Sequence, residues 1–185
     1  MKNFLFPISV VIGLCIPFWS AAQTGILKAS SGRVTFRSEA PLELIEAASK
    51  ELSGVLDAGQ RSFAFSVPMQ SFQGFNSALQ REHFNENYME STRFPKAVFT
   101  GKIIETTDFT QPGEHVIRAK GKLSLHGVEQ ERIIKVSITT DKKGMTARAQ
   151  FSALLEDYNI SIPRVVYQKI AEEIQITVEA VFVKS

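Results

Sequence analysis

The stretch that decides the fold is Gly121–Thr140, GKLSLHGVEQERIIKVSITT, where two alternating apolar runs flank a His126-Gly127 pair. On the first arm, which begins upstream, Ile117, Ala119, Gly121, Leu123 and Leu125 share one parity, and Arg118, Lys120, Lys122, Ser124 and His126 the other. A period of two is that of a half-buried strand. On the second arm Ile134, Val136 and Ile138 alternate with Lys135, Ser137 and Thr139. Glycine accepts positive φ and lets the chain reverse tightly between the arms. The stretch predicts an antiparallel hairpin with one apolar and one wet face.

The rest of the chain is read outward from this hairpin. Ile26 to Ala29 and Arg33 to Arg37 predict short strands around a Ser30-Ser31-Gly32 turn. Leu42 to Leu52 is open between strand and helix, since Glu43 to Ala48 are good helix formers. Arg61 to Val67 is a clearer strand, with Phe63, Phe65 and Val67 on one face. Phe72 to Tyr88 loses the alternation and takes helical spacing, which predicts a short helix across one end of the sheet. Pro95 disfavours helix at Phe94, and Ala97 to Glu105 resumes as strand. Turn signals at Gln111-Pro112-Gly113 and Asp141 to Gly144 bracket the central hairpin. Beyond them Ala147, Ala149, Phe151 and Ala153 share a face of one strand. Pro163 can open a short helix through Glu172, and Ile174 to Phe182 alternate in a closing strand.

Gly121, Leu123, Leu125, His126, Gly127 and Val128 resemble the G-x-L-T-L-H-G-V core of the YceI-like family. Ser124, Glu129 and Gln130 depart from that family's Thr-Thr-Lys run. His83-Phe84, Tyr88-Met89, Ser91 and Phe94-Pro95 followed by Phe99 resemble its second motif, H-L…F-F…Y-P…F. Asp157-Tyr158-Asn159-Ile160 is similar to its R-x-D-F-G-I ending, with Leu155 or Glu156 where Arg is usual and Asn159 where Gly is usual. Asn also enters left-handed backbone readily, so the turn is expected to survive. The resemblance covers nearly the whole of residues 23–185. It implies an exported bacterial envelope protein with a lipocalin-like barrel that binds polyisoprenoid or related lipids, and it makes Leu42 to Leu52 strand. The expected fold is all-β: an antiparallel eight-stranded barrel with one or two short helices.

Met1 to Trp19 carries one early charge, Lys2, then an apolar run broken by Pro7 and Pro17, and Ser20-Ala21-Ala22 follows as a small-residue cleavage site. The run is shorter than the roughly 20 residues a bilayer span needs. Residues 1–22 are therefore read as a signal peptide, cleaved near Ala22, which places residues 23–185 in the periplasm or outside the cell. Cys15, the single cysteine, is preceded by the bulky Leu14 and lies inside the apolar run, which argues against lipidation. Removing it leaves no disulfide, thiol nucleophile or cysteine metal ligand. A formal charge of +2, with basic and acidic residues interspersed, offers nothing to a nucleic-acid backbone.

No G-x-S-x-G elbow and no phosphate loop is present, and His83, His115 and His126 lack ligand spacing, so neither catalytic nor metal-binding residues are assigned. Asp157 and Glu156 are expected on opposite sides of a strand, and Glu82, Glu86 and Glu90 as a solvated helical face. Eight strands enclose side chains or one small ligand. The expected wall of such a site is Phe63, Phe65, Phe99, Leu123, Leu125, Val136, Ile138 and Phe151, with Phe72, Phe75, Phe84, Tyr88 and Tyr158 nearer a mouth or cap. The same side chains could equally fill a dry core. No cofactor is expected beyond a bound isoprenoid or acyl lipid. The expected partner is a hydrophobic small molecule, an isoprenoid quinone, polyprenyl lipid or fatty-acid derivative, with transient membrane contact. The alternative is an envelope interaction module whose filled barrel is a scaffold.

Overall fold

A computed structural model describes residues 25–109 and 111–183; the expected signal peptide, with Cys15 and the Ala22 cleavage point, lies outside them. Ten strands form a single sheet: β1 Ile26–Lys28, β2 Ser31–Glu39, β3 Leu44–Ser49, β4 Ser53–Asp57, β5 Ser62–Pro68, β6 Lys96–Ile103, β7 Gly113–Leu125, β8 Val128–Thr140, β9 Gly144–Leu154 and β10 Glu173–Val183. Their order is β1-β4-β5-β6-β7-β8-β9-β10-β2-β3. All the pairings between named strands are antiparallel.

The central hairpin is β7 and β8, paired from Gly113↔Thr140 to Leu125↔Val128. Its reversal uses positive φ at both His126 (49°) and Gly127 (76°), the twist that suits a two-residue hairpin. Along β8 the exposed residues Glu129, Glu131, Ile133, Lys135, Ser137 and Thr139 alternate with buried or half-buried ones. On the wet face Lys120 meets Glu131 at 2.8 Å and Lys122 meets Glu129 at 3.1 Å. Exposed pairs of this kind contribute little, because water screens them. The burial of the alternate residues supplies more.

Ten strands form where a barrel of eight was expected: the strands expected at Ile26 to Ala29, Arg33 to Arg37 and Leu42 to Leu52 all form, as β1, β2 and β3, and β4 forms between β3 and β5 in the chain. Ser30 is not the tip of a hairpin: β1 pairs with β4 while β2 pairs with β10. At the bend, Ala29 N donates to Gly54 O (2.9 Å) and Ser30 N to Val181 O (2.8 Å). Adjacent residues thus bond to two strands that lie far apart in the sheet order, β4 and β10, and the sheet curls into a barrel.

The helical expectations hold in shorter form. Ser77 caps α1 (Ala78–His83) by accepting from Gln80 N at 3.1 Å, and a π-helical turn, Phe84–Tyr88, continues it. The expected helix from Arg164 to Glu172 is only a 3-10 turn, Arg164–Val166. Without a side-chain cap, and with Gln168 O drawn off to Leu42 N (2.9 Å), that segment does not propagate a helix. Glu156 and Asp157 lie on a second 3-10 turn, Glu156–Tyr158, rather than a strand, and Asn159 follows it in left-handed backbone (φ 56°).

Gly101 on β6 faces Gly121 on β7. A Cβ on Gly101 would sit 2.1 Å from Lys120 O, and one on Gly121 2.2 Å from Thr100 O. No flexible side chain can yield there, so the two backbones approach as only a glycine pair allows. We expect Gly121→Ala to cost about 1–3 kcal/mol or more in urea unfolding. Gly25→Ala, where an added Cβ meets nothing within 4 Å, should leave the midpoint unchanged.

Candidate functional site

The barrel is hollow. Inside the sheet lies a cavity of about 550 Å³, walled almost entirely by apolar side chains. Phe63, Phe65, Phe99, Leu123, Leu125, Val136, Ile138 and Phe151 all face it from β5 to β9. Phe63 and Phe99 touch ring to ring at 4.9 Å, and Phe65 stands edge-on to Phe182 at 6.3 Å. Small side chains on β9, Ala147 and Ala149, leave the space that these rings do not fill.

Phe72, Phe75, Phe84 and Tyr88 also line the cavity, at the end carrying α1. Phe36 from β2 joins them, with its ring 5.4 Å from Phe72, 5.8 Å from Phe75 and stacked on Phe84 at 5.3 Å. Four rings from three segments thus make one aromatic collar.

Tyr158 does not line the cavity. Its exposure is 0%, and its hydroxyl has no hydrogen-bond partner among the described residues. Burial raises its pKa above the usual tyrosine value. It is a core residue at the base of the Leu155–Ile160 strap.

Residues outside the expected set complete the lining. Val34, Phe36, Leu56, Met89, Ile176 and Phe182 add apolar wall, and the β10 members share the alternation already read there. The polar groups are few and gather mainly at the α1 end, where Glu43, Ser77, Gln80, His83 and Lys169 border the opening. Glu43 Oε1 accepts from Gln80 Nε2 (2.9 Å) and Asn76 Nδ2 (3.3 Å), which ties the β2–β3 loop to α1. No single period marks these mouth residues together, because they come from α1 and from two loops that meet only in the fold. Among the described residues no group of three His, Cys, Asp or Glu is placed to hold a metal ion.

The same end is fastened by polar residues that share the inward parity of β8. Gln130 Nε2 donates to Asp157 O at 2.8 Å, and Arg132 Nη2 donates to Ser152 O at 2.5 Å with Asp157 Oδ2 3.9 Å from its Nη1. His126 has its Nδ1 3.0 Å from Tyr158 O and its Nε2 3.1 Å from Glu90 Oε1. Both partners are acceptors, so the imidazolium donates to both at once and the neutral ring to one. Phe94 packs edge-on against the ring at 4.8 Å. The family-motif residues of three distant segments therefore form a clasp. Glu90 has left the expected solvated helical face: it follows the π turn with φ 42° and reaches back to His126.

The profile of the YceI-like domain matches residues 18–182. The chain belongs to the YceI-like family. None of the curated proteins compared matches it. Among solved structures it is similar to BcnA of Burkholderia cenocepacia (17% identity, TM-score 0.67, covering 81% of this chain and 95% of that one). It is also similar to a polyisoprenoid-binding domain from Saccharophagus degradans implicated in plant cell wall breakdown (10% identity, TM-score 0.73, covering 88% and 100%). A Campylobacter jejuni YceI protein matches over 100% of both chains at 13% identity, with a TM-score of 0.56. At these identities the likeness is one of fold, and the YceI-like barrel of this chain agrees with it.

Two outcomes test this end of the barrel. Tyr158→Phe, which removes the unpartnered hydroxyl and keeps the ring, should raise unfolding stability by about 1 kcal/mol. The Glu90 carboxyl is held below the usual range, chiefly by its hydrogen bond with His126. A depressed carboxylate stabilises the fold above its unfolded pKa and loses that contribution as pH falls through the folded one. Glu90→Gln should therefore lower the melting temperature at pH 7. The gap from the parent should close as pH falls below about 4.3.

Proposed function

We propose that this YceI-like protein is a non-enzymatic binding protein that holds an apolar-tailed molecule, an isoprenoid quinone, polyprenyl lipid or fatty-acid derivative, inside its barrel. The observation that carries the reading is the apolar cavity of about 550 Å³, open at the α1 end, with its polar groups concentrated at the mouth. That volume falls within the range of small-ligand sites. Each methylene moved from water to such a wall contributes about 0.8 kcal/mol. Ten of them give about 8 kcal/mol, enough to offset several kcal/mol of lost freedom on binding. The wall needs no charge for this, and a head group would rest among Glu43, Gln80, His83 and Lys169. The similar Saccharophagus degradans domain, described as polyisoprenoid-binding, supports the same class of ligand. We also propose export to the periplasm or beyond with loss of residues 1–22, supported by the apolar run and the Ser20-Ala21-Ala22 site.

Mass spectrometry of organic extracts from natively purified protein is the direct test, with an unrelated exported protein as control. A stoichiometric isoprenoid or acyl species is expected, and the intact mass of the same preparation should begin at Gln23. Ala149→Trp, which fills the cavity from β9, should weaken uptake of added quinone or fatty acid by about tenfold or more. Its own overpacking cost should be about 1–3 kcal/mol. A clean extract combined with no uptake by the parent would overturn the proposal.

A further inference from the structure

The exposed apolar side chains on β1, β4, β7, β8 and β10 are spread over separate strands. Those at the cavity mouth are not. Leu42 is 67% exposed, Leu79 58%, Val165 90% and Tyr167 63%, and they come from three segments that meet there. Leu42 N donates to Gln168 O (2.9 Å), joining the β2–β3 loop to the Pro163–Ile170 segment, and the Gln80–Glu43 bond (2.9 Å) joins that loop to α1. Leu79, Val166 and Lys169 border the cavity from the two flanking segments. The apolar rim is thus continuous with the apolar interior.

Two exposed cations, Arg164 and Lys169, stand among these apolar side chains, with the exposed carboxylates Glu82 and Glu172 flanking them on α1 and just before β10. Pro163–Ile170, PRVVYQKI, carries Arg164 and Lys169 and no carboxylate. Both cations are exposed, and neither makes an ion pair among the described residues. Elsewhere on the surface Arg37, Arg93, Arg118, Lys120, Lys122 and Arg148 have a carboxylate partner, while the exposed Lys28, Lys50, Lys96, Lys102 and Lys135 have none among the described residues, so it is their place beside the apolar rim that sets Arg164 and Lys169 apart. The nearby Glu39 is taken by Arg37 at 3.1 Å and Glu43 by two side-chain amides. Unpaired Arg and Lys beside Tyr, Val and Leu are the composition of a lipid-water interface. Two copies meeting through this rim about a two-fold axis would instead bring like charges together.

We propose that the mouth docks on an anionic lipid bilayer, with Leu42, Leu79, Val165 and Tyr167 at head-group depth and Arg164 and Lys169 on the lipid phosphates. This rests on the reading of the cavity as a site for an apolar tail. Docking there lets a tail pass between bilayer and barrel without crossing water, where every exposed methylene opposes transfer.

Flotation with vesicles of phosphatidylcholine alone, or mixed with phosphatidylglycerol, tests it. The purified protein should float with the mixed vesicles, and much less with phosphatidylcholine alone or in high salt. Val165→Ser with Tyr167→Ser should weaken flotation about tenfold, and Arg164→Glu about fivefold or more. None of these three side chains lines the cavity, so uptake of a fluorescent fatty acid added from solution should be unchanged in each variant. That second readout separates the two ideas: loss of uptake by the parent would sink the cavity reading, whatever the vesicles show. Equal flotation of parent and both variants, or none on either vesicle, would overturn the docking surface. So would a concentration-dependent dimer abolished by the Val165 and Tyr167 changes, which would assign the rim to a second copy.

Discussion

The structure depends on how its sheet disposes of two open edges. A row of unpaired backbone groups invites pairing with another chain, and closure is the one arrangement that removes it. Here a single bend brings the two ends of the sheet together: Ala29 bonds to β4 and the next residue, Ser30, to β10, which leaves only the short strands β1 and β3 as edges. Gly32 makes the junction passable, since a Cβ there would lie 2.8 Å from both the Leu52 carbonyl and its side chain. That close approach lets the chain pass from β1, paired with β4, to β2, paired with β10.

Closure fixes what the side chains can do. Inward parity on successive strands becomes a common interior, and the strands are too long and too strongly curled for those side chains to fill it. Large rings on β5 and β6 face small residues on β9, so the interior keeps a continuous apolar space instead of a packed centre. The polar residues are displaced to the rim and the clasp. The β7–β8 turn, the segment after the π turn and the Leu155–Ile160 strap are held there by His126, Gln130 and Arg132. A hollow apolar barrel whose one polar end is also its opening has the layout of a container for a molecule with a tail and a head.

The strands were legible because alternation is a local signal and the wet faces carry charge. Thus β7, β8 and β10 could be read residue by residue, and even the helix-favouring Glu43 to Ala48 settled as β3 once pairing with β2 was available. Tertiary context overrode propensity there. The short helix expected after Pro163 shrinks to a 3-10 turn for the converse reason, because Gln168 O bonds to Leu42 N instead of continuing a turn. Tyr158 lies away from the expected mouth because, although its motif neighbours form a turn, its own side chain is fully buried in the core. Glu90 fits a helical spacing on paper. The turn ends before it, and its partner is 36 residues away.

By itself the sequence determined the period-two strands, the central hairpin with its His126-Gly127 turn, the apolar face they share and the family they belong to. These follow from nearest neighbours along the chain, where parity and turn chemistry act. Only the tertiary structure decided that the sheet closes through a bend at Ala29 and Ser30, that the interior is hollow, and that Glu43, Gln80, His83 and Lys169 meet at one opening. Those features arise from contacts between residues far apart in sequence, whose geometry depends on curl, register and backbone approach, and no local pattern encodes them.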